Sequence, residues 1–221
     1  DAARLEAIAR SGADVVAGDA TDADFMNRTV AERRPSILIL NAGARLPMGR
    51  VDELSFDDFS ANWNSDVKAG LHGIQAAFKA PMAPGSRILI MSSGAALVLS
   101  APRIPPAGLR LSGGYVGAKR MLWFMAHSAN AASREREAGL HFQALLPTQL
   151  MAGTELGHAV ALRYADLAGV PVEQYLFERY GPPLTPAHLG NQVADIVCDD
   201  NYARGVAYGL TAGPAPVGLD V

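Results

Sequence analysis

Residues 36–43 read Ser-Ile-Leu-Ile-Leu-Asn-Ala-Gly, an apolar run that ends in a polar, glycine-containing turn. Four consecutive large apolar residues are typical of a parallel strand whose two faces are both covered. Asparagine and glycine favour a turn directly after it. The stretch therefore predicts a buried strand that opens into a loop at one edge of a sheet.

Comparable strands and helices alternate on both sides of this stretch. Further apolar runs predict strands at residues 14–18, 87–91, 141–146 and 205–210. Helical patterns predict helices over residues 2–11, from a cap at Thr21 to Arg34, from Ser55 through Ile74, from Tyr115 onward, and over 186–198. Such alternation is typical of a parallel sheet with helices on both faces. We therefore expect an α/β fold, one doubly wound domain spanning residues 1–221.

Composition excludes several classes of function. The 221 residues are 49% hydrophobic and carry a net charge of −3, which gives no indication of a nucleic acid or membrane partner. No apolar run approaches transmembrane length, and the five histidines show no metal-ligand spacing. The single cysteine, Cys198, cannot form an intramolecular disulfide, which favours a cytoplasmic location. Its apolar neighbours predict that the thiol is buried.

Residues 113–119, Gly-Gly-Tyr-Val-Gly-Ala-Lys, contain the clearest catalytic candidates. Tyr115 and Lys119 are four residues apart, so on a helix they share one face. A free phenol has a pKa of about 10, and a nearby ammonium favours its ionised form, as a general acid or base requires. The alternative is an ordinary tyrosine and lysine on a helix surface.

Polar or small residues follow four of the predicted strands. They are Asp19-Ala20, Asn41-Ala42-Gly43, Ser92-Ser93 and Pro147-Thr148. Ligands of doubly wound sheets bind beyond the carboxyl ends of the strands. Together these segments predict a groove in which a flat ligand lies against the backbone.

At this point the chain resembles the short-chain dehydrogenase/reductase family over essentially all 221 residues. The resemblance is carried by residues 40–43, the serine pair, residues 115–119 and the proline turn at Pro147. It implies a Rossmann-like fold, an NAD or NADP cofactor, and an oxidoreductase that interconverts a ketone and a secondary alcohol by hydride transfer. It also implies assembly into a homodimer or homotetramer.

The resemblance also assigns catalytic roles. Tyr115 would be the general acid or base, and Lys119 would assist its ionisation and bind the nicotinamide ribose. Ser93, rather than Ser92, would polarise the substrate carbonyl.

Cofactor contacts are implied for three further segments and for Thr154. Asp19 and Ala20 would lie at the adenine, residues Asn41, Ala42 and Gly43 at the adenosine ribose, Pro147, Thr148 and Leu150 at the carboxamide, and Thr154 at the diphosphate. For Thr154 an ordinary helix cap is the alternative.

Four departures from the family pattern stand out. Asp66 occupies the position of an asparagine that, in the family, usually distorts its helix and holds a water in a proton relay to the lysine. Asp66 would either alter this proton relay or be a solvated helix residue. Thr148 replaces a glycine. The 22-residue separation of Ser93 and Tyr115 predicts an insertion within residues 97–114. Finally, the first strand-helix-strand segment, with its glycine-rich turn, is missing from the sequence. We expect it upstream of Asp1, and the alternative is a truncated protein that cannot bind a dinucleotide well.

The remaining apolar residues suggest a lid and an interface. Residues 150–184 could cover the substrate, and Met151, Leu156, Tyr164 and Tyr175 would make this lid favour a hydrophobic substrate. Residues 121–125, Met-Leu-Trp-Phe-Met, predict either core or an oligomer interface.

Two other functions stay open. A nicotinamide-dependent epimerase or dehydratase of a sugar nucleotide uses a similar tyrosine and lysine, but the short region after Pro147 counts against it. A non-catalytic binding or scaffold protein of the same fold is consistent with Asp66 and Thr148. Failure to bind NAD(P)H would favour the scaffold.

Overall fold

The computed structural model describes residues 2–79, 82–100 and 111–219, without the side chains of residues 2–4 and 98–100. The helices are α1 Ala2–Ala9, α2 Ala23–Arg33, α3 Phe56–Asn62, α4 Lys68–Lys79, α5 Gly113–Glu135, α6 Glu155–Ala168, α7 Val172–Tyr180 and α8 Pro186–Cys198. The strands are β1 Ile37–Leu40, β2 Arg87–Met91, β3 His141–Pro147, β4 Ala207–Leu210 and β5 Val217–Gly218. A π-helical segment, Trp63–Val67, joins α3 to α4, and short 3-10 helices span Gly94–Ser100 and Asp200–Tyr202.

The sheet has the order β1-β2-β3-β4-β5. Its first four strands are parallel and in register, with Leu40 opposite Ile90 and Ile90 opposite Ala144. The short β5, which the sequence pattern did not predict, runs antiparallel to β4. Because the carboxyl ends of the parallel strands meet at one edge, the segments that follow them are neighbours. The predicted α/β fold with a parallel sheet is confirmed.

Both faces of the sheet are covered, which explains the continuously apolar strands. Alternate residues point to opposite faces. Ile88, Ile90 and Phe142 pack in a cluster with Leu122 and Ala126 of α5. On the other face, a second cluster joins Leu89, Leu145, Tyr208 and Leu210 to Ile196 of α8.

Residues 14–18 do not form the predicted strand. The segment carries no regular structure, and Val16 is 47% exposed. Apolar patterning can suggest a strand, but backbone pairing requires a neighbour. Within the described residues β1 pairs with β2 and no second strand lies on its other side.

Two local predictions were also wrong. The N–H and hydroxyl groups of Thr21 both donate to Asp19, so the side chain of Asp22 instead caps α2 by accepting from the N–H groups of its first turn. Cys198 is exposed. It follows the buried Ile196 by two residues, about 200° around a helix, and therefore faces away from the core.

Two further observations bear on the expectations from sequence. The insertion predicted within residues 97–114 falls mainly on residues 101–110, which lie outside the described residues. In the described ranges, no helix combines the length and apolar character needed to cross a membrane.

Candidate active site

A cleft of about 420 Å³ lies beyond the carboxyl ends of β1, β2 and β3. Most of the residues that the sequence singled out line it. These are Asn41, Gly43, Asp66, Ser92, Ser93, Tyr115, Lys119, Pro147, Thr148, Leu150 and Thr154. Three strand ends and the first turns of α5 thus converge on one space.

Tyr115 and Lys119 both lie in the first two turns of α5 and line the cleft. The Lys119 ammonium lies 5.5 Å from the centroid of the Tyr115 ring. Lys119 is buried, and its Nζ donates to the carbonyl of Met91 at the end of β2 over 3.2 Å. The lysine therefore connects α5 to the sheet while its charge stays beside the tyrosine.

The start of α5 is fixed by close contact with α3. A Cβ atom at Gly114 would lie 2.0 Å from the carbonyl oxygen of Phe59, so only glycine permits this approach. Tyr115 follows directly, and its place in the cleft depends on this contact.

Asp66 lies inside the π-helical segment and is 2% exposed. One carboxylate oxygen lies 3.1 Å from Lys119 Nζ. The other accepts from the N–H of Ala44 over 2.9 Å and from the hydroxyl of Ser65 over 2.8 Å. Asp66 therefore links the loop after β1 to α5, and the interpretation of Asp66 as a solvated helix residue is wrong.

The two serines after β2 have different environments. Ser92 is buried and donates its hydroxyl to the carbonyl of Lys119 over 2.7 Å. Ser93 is partly exposed in the cleft, where its hydroxyl oxygen accepts from the N–H of Ala95 over 3.2 Å. This bond leaves the hydroxyl hydrogen of Ser93 able to donate to a ligand.

The residues predicted to contact the adenosine half of a cofactor divide into two groups. Ala20 and Ala42 line a second cavity of about 170 Å³, which shares Asn41 and Asp66 with the main cleft. Asp19 lines neither cavity and is exposed. Hydrogen bonds from Thr21 hold the pKa of its carboxyl below the ordinary value.

Thr148 and Thr154 line the cleft and also stabilise its walls. The N–H and hydroxyl of Thr148 donate to the carbonyl of Leu210 over 2.9 and 3.0 Å, extending the pairing of β3 with β4. Thr154 caps α6 by accepting from the N–H of Gly157 over 3.0 Å, so the helix-cap interpretation describes its hydrogen bonding. Its position in the cleft leaves a ligand contact open.

Helices α6 and α7 form the remaining wall. The four predicted lid residues, Met151, Leu156, Tyr164 and Tyr175, all line the cleft. Gln149, Arg179 and Tyr180 also line it, although sequence reasoning did not select them. The available signal was spacing, since Arg179 follows Tyr175 by four residues on the same helix.

No protein-family model and no curated protein matches the chain, but solved structures resemble it. Sorbitol-6-phosphate 2-dehydrogenase from Erwinia amylovora is 19% identical, with a TM-score of 0.72 over 88% of this chain and 76% of that one. An oxidoreductase of the short-chain dehydrogenase/reductase family from Burkholderia thailandensis is 21% identical, with a TM-score of 0.71 over 96% and 77% of the two chains. A blue fluorescent protein from a metagenomic library, in complex with NADPH, is 20% identical, with a TM-score of 0.68 over 96% and 79%.

At this level of identity the likeness concerns the fold. The chain has the Rossmann-like fold that the short-chain dehydrogenases/reductases share, as the resemblance implied.

Proposed function

We propose that this protein is a short-chain dehydrogenase/reductase that interconverts a ketone and a secondary alcohol with NAD or NADP. The observation that carries the proposal is the meeting of Ser93, Tyr115 and Lys119 in one cleft at the carboxyl ends of the sheet. Each supplies a group that carbonyl reduction needs: a hydrogen-bond donor, a proton carrier and a fixed positive charge.

The cleft residues fit the nicotinamide and ribose half of such a cofactor. Residues Pro147 to Met151 form one wall of the cleft, and Asn41 and Gly43 line a second wall. Lys119 Nζ and the Tyr115 hydroxyl are the polar groups suited to ribose hydroxyls. When bound there, the nicotinamide would supply or accept the hydride.

The protein's own residues would handle the carbonyl oxygen. Ser93 donates its free hydroxyl hydrogen to that oxygen, and Tyr115 delivers the proton in reduction or removes it in oxidation. Asp66 acts as a positioning residue, because its carboxylate holds the Lys119 ammonium that faces the Tyr115 ring.

Replacement of Tyr115 by phenylalanine tests the proposal. A panel of ketones and secondary alcohols is assayed with both cofactors, and NADH and NADPH binding is followed by fluorescence. Tyr115→Phe should lower turnover by about 100-fold or more while largely retaining cofactor affinity, because Lys119 and the cleft walls still contact the cofactor. Tyr202→Phe, whose ring packs on Tyr208 outside the cleft, is the matched control.

The same assays separate the alternatives. Full activity in Tyr115→Phe would reject the proposal. Absence of both turnover and NAD(P)H binding would favour the scaffold, for which the neutralisation of Lys119 by Asp66 is the supporting observation. Conversion of a sugar nucleotide without net change in the cofactor would identify an epimerase.

We also propose that the protein forms a homodimer or homotetramer through an apolar surface of its helices. Phe124 of α5 is 62% exposed, whereas Trp123 and Met125 pack against the core. Leu71 of the adjacent α4 is 42% exposed. Phe124→Asp should therefore produce monomers in sedimentation experiments. Phe177→Asp, which changes an exposed phenylalanine of α7, should not, and an unchanged Phe124→Asp oligomer would reject this surface.

A further inference from the structure

The charges of the main cleft are not balanced. Among its described lining residues, Asp66, Lys119 and Arg179 are charged. Asp66 and Lys119 compensate each other, since their nearest charged atoms are 3.1 Å apart. Arg179 makes no ion pair with any residue in the described ranges, and its Nε is buried without a hydrogen-bond partner there. Its guanidinium instead stacks on the ring of Tyr180, 4.9 Å from the centroid.

The buried Nε–H of Arg179 lowers the stability of the fold unless a ligand accepts a hydrogen bond from it. A buried N–H without an acceptor loses the hydrogen bonds that water would provide. The sequence outside the described ranges adds Asp1 and Asp220 as its acidic residues, and the undescribed segment 101–110 contains none. An anion brought by a ligand would supply the acceptor that Arg179 lacks among the described residues.

The wall that carries Arg179 is fixed close to the predicted reaction centre. Tyr175, one turn earlier on α7, stacks on Tyr164 with 6.3 Å between ring centroids. The Tyr164 hydroxyl accepts from the N–H of Leu111 over 3.1 Å and lies 3.3 Å from the hydroxyl of Ser112. Ser112 immediately precedes α5, so this chain of contacts connects α7 to the turn that carries Tyr115.

A second connection holds the end of α7. The Gln149 amide nitrogen donates to the carbonyl of Tyr180 over 3.3 Å, and its amide oxygen accepts from the N–H of Leu184 over 2.9 Å. Gln149 follows β3, whose end lines the cleft. Arg179 therefore lies on a helix, α7, that is connected to the rest of the cleft at two places.

We propose that Arg179 binds a carboxylate or phosphate group of the substrate, which makes the substrate an anionic ketone or alcohol. The planar guanidinium can donate two parallel hydrogen bonds to either group. This assignment rests on the proposed function, because it takes the anion to be part of the molecule that Tyr115 and Ser93 act on. It also revises the expectation that the lid favours a hydrophobic substrate, since Arg179 gives the wall of α6 and α7 a charge that no described residue compensates.

Binding of matched anionic and neutral probes tests the assignment without requiring turnover. Ligand-observed NMR would compare acetoacetate with acetoacetamide, and dihydroxyacetone phosphate with dihydroxyacetone. For the wild-type protein we expect one anion of a pair to bind about tenfold or more tightly than its neutral partner. Arg179→Gln should remove this preference, and Arg179→Lys should retain part of it. Arg163→Gln, an exposed arginine of α6, should leave it unchanged.

Three results would overturn the assignment. They are equal binding of both members of each pair to the wild-type protein, failure of the probes to bind at all, and anion binding that persists in Arg179→Gln. A separate titration with NADH and NADPH identifies the source of the anion. Loss of cofactor affinity in Arg179→Gln, with probe binding intact, would assign the guanidinium to the cofactor diphosphate instead.

The test also separates this proposal from the proposed function. Arg179-dependent binding of acetoacetate, without turnover of any ketone or alcohol of the panel with either cofactor, would support the anion site and reject the oxidoreductase. Turnover of neutral ketones that requires Tyr115 but is unchanged in Arg179→Gln would support the oxidoreductase and reject the anion site.

Discussion

One carboxylate oxygen of Asp66 lies 3.1 Å from Lys119 Nζ, and both side chains are almost completely buried. A buried ion pair contributes little net stability, but removing one partner leaves an uncompensated charge in a poorly solvated place. The two residues should therefore behave as one unit, both for the stability of the fold and for the position of the ammonium beside Tyr115.

Lys119→Met should lower the free energy of unfolding by about 3–5 kcal/mol, because it strands the Asp66 carboxylate. Adding Asp66→Asn should restore part of this loss, since an amide needs no counter-charge. Urea denaturation of the two single variants and the double variant measures the coupling. Strict additivity would show that the pair makes no energetic contact.

Replacement of each of the two serines after β2 by alanine should show which hydroxyl stabilises the fold and which contributes to turnover. Ser92→Ala removes a buried hydroxyl that donates to the Lys119 carbonyl and should cost about 1 kcal/mol of stability. Ser93→Ala should leave stability nearly unchanged but lower turnover, because its hydroxyl lines the cleft and donates to no group in the described residues. The check is a comparison of melting temperature and kcat for the two variants. A reversed pattern would move the proposed role from Ser93 to Ser92.

Gly114→Ala should be destabilising by about 1–3 kcal/mol, because the added Cβ overlaps the carbonyl oxygen of Phe59 and forces α5 away from α3. Gly117→Ala is the matched control, since a Cβ there meets nothing within 4 Å and alanine favours a helix by up to about 1 kcal/mol. Denaturant midpoints of both variants check the prediction. Equal midpoints would mean that α3 and α5 separate without cost.

The stability of the protein should fall as the pH decreases through the titration range of His141. Burial lowers the pKa of His141, although its hydrogen bond with the Gly205 carbonyl opposes the shift. The unfolded chain therefore binds the proton first, so this contribution is complete above the ordinary histidine pKa of about 6.5 and is lost as the pH falls toward the folded value.

Melting temperatures between about pH 7.5 and 5 measure this effect. The decrease should be smaller in His141→Gln than in the wild-type protein. His158→Gln, which changes an exposed histidine of α6, should follow the wild type. Identical curves for His141→Gln and the wild type would assign the acid sensitivity elsewhere.

The sheet was predictable where the sequence carries a complete signal. The strand at residues 87–91 was predicted with its observed bounds, and that at residues 36–40 with one extra residue. Continuous apolar runs specify strands whose two faces are both covered. Residues 14–18 show the limit of this rule, because apolar character does not reveal whether a pairing strand is available.

The candidate site was predictable in its membership but not in its electrostatics. The four-residue spacing predicted that Tyr115 and Lys119 share one helix face, and their positions at strand ends predicted that Ser93 and Pro147 lie nearby. All four residues line the cleft. No local pattern showed that Asp66 would contact Lys119 directly, since the two are far apart in sequence. Arg179 was missed for a related reason. A charged residue on an amphipathic helix normally points to solvent, and only the folded chain shows that Nε of Arg179 has no acceptor among the described residues.

The π-helical segment between α3 and α4 makes this region sensitive to length as well as to residue type. Such a segment amounts to one residue inserted into an α-helix. A π-turn holds one more residue than an α-turn for nearly the same rotation, so a single-residue deletion there would restore regular helix and leave α3 and α4 in nearly the same relative orientation. The approach of Phe59 to Gly114 would then be retained, but the local geometry that directs Asp66 toward Lys119 would be lost. Among homologous sequences, substitutions in residues 63–67 should therefore be better tolerated than gaps.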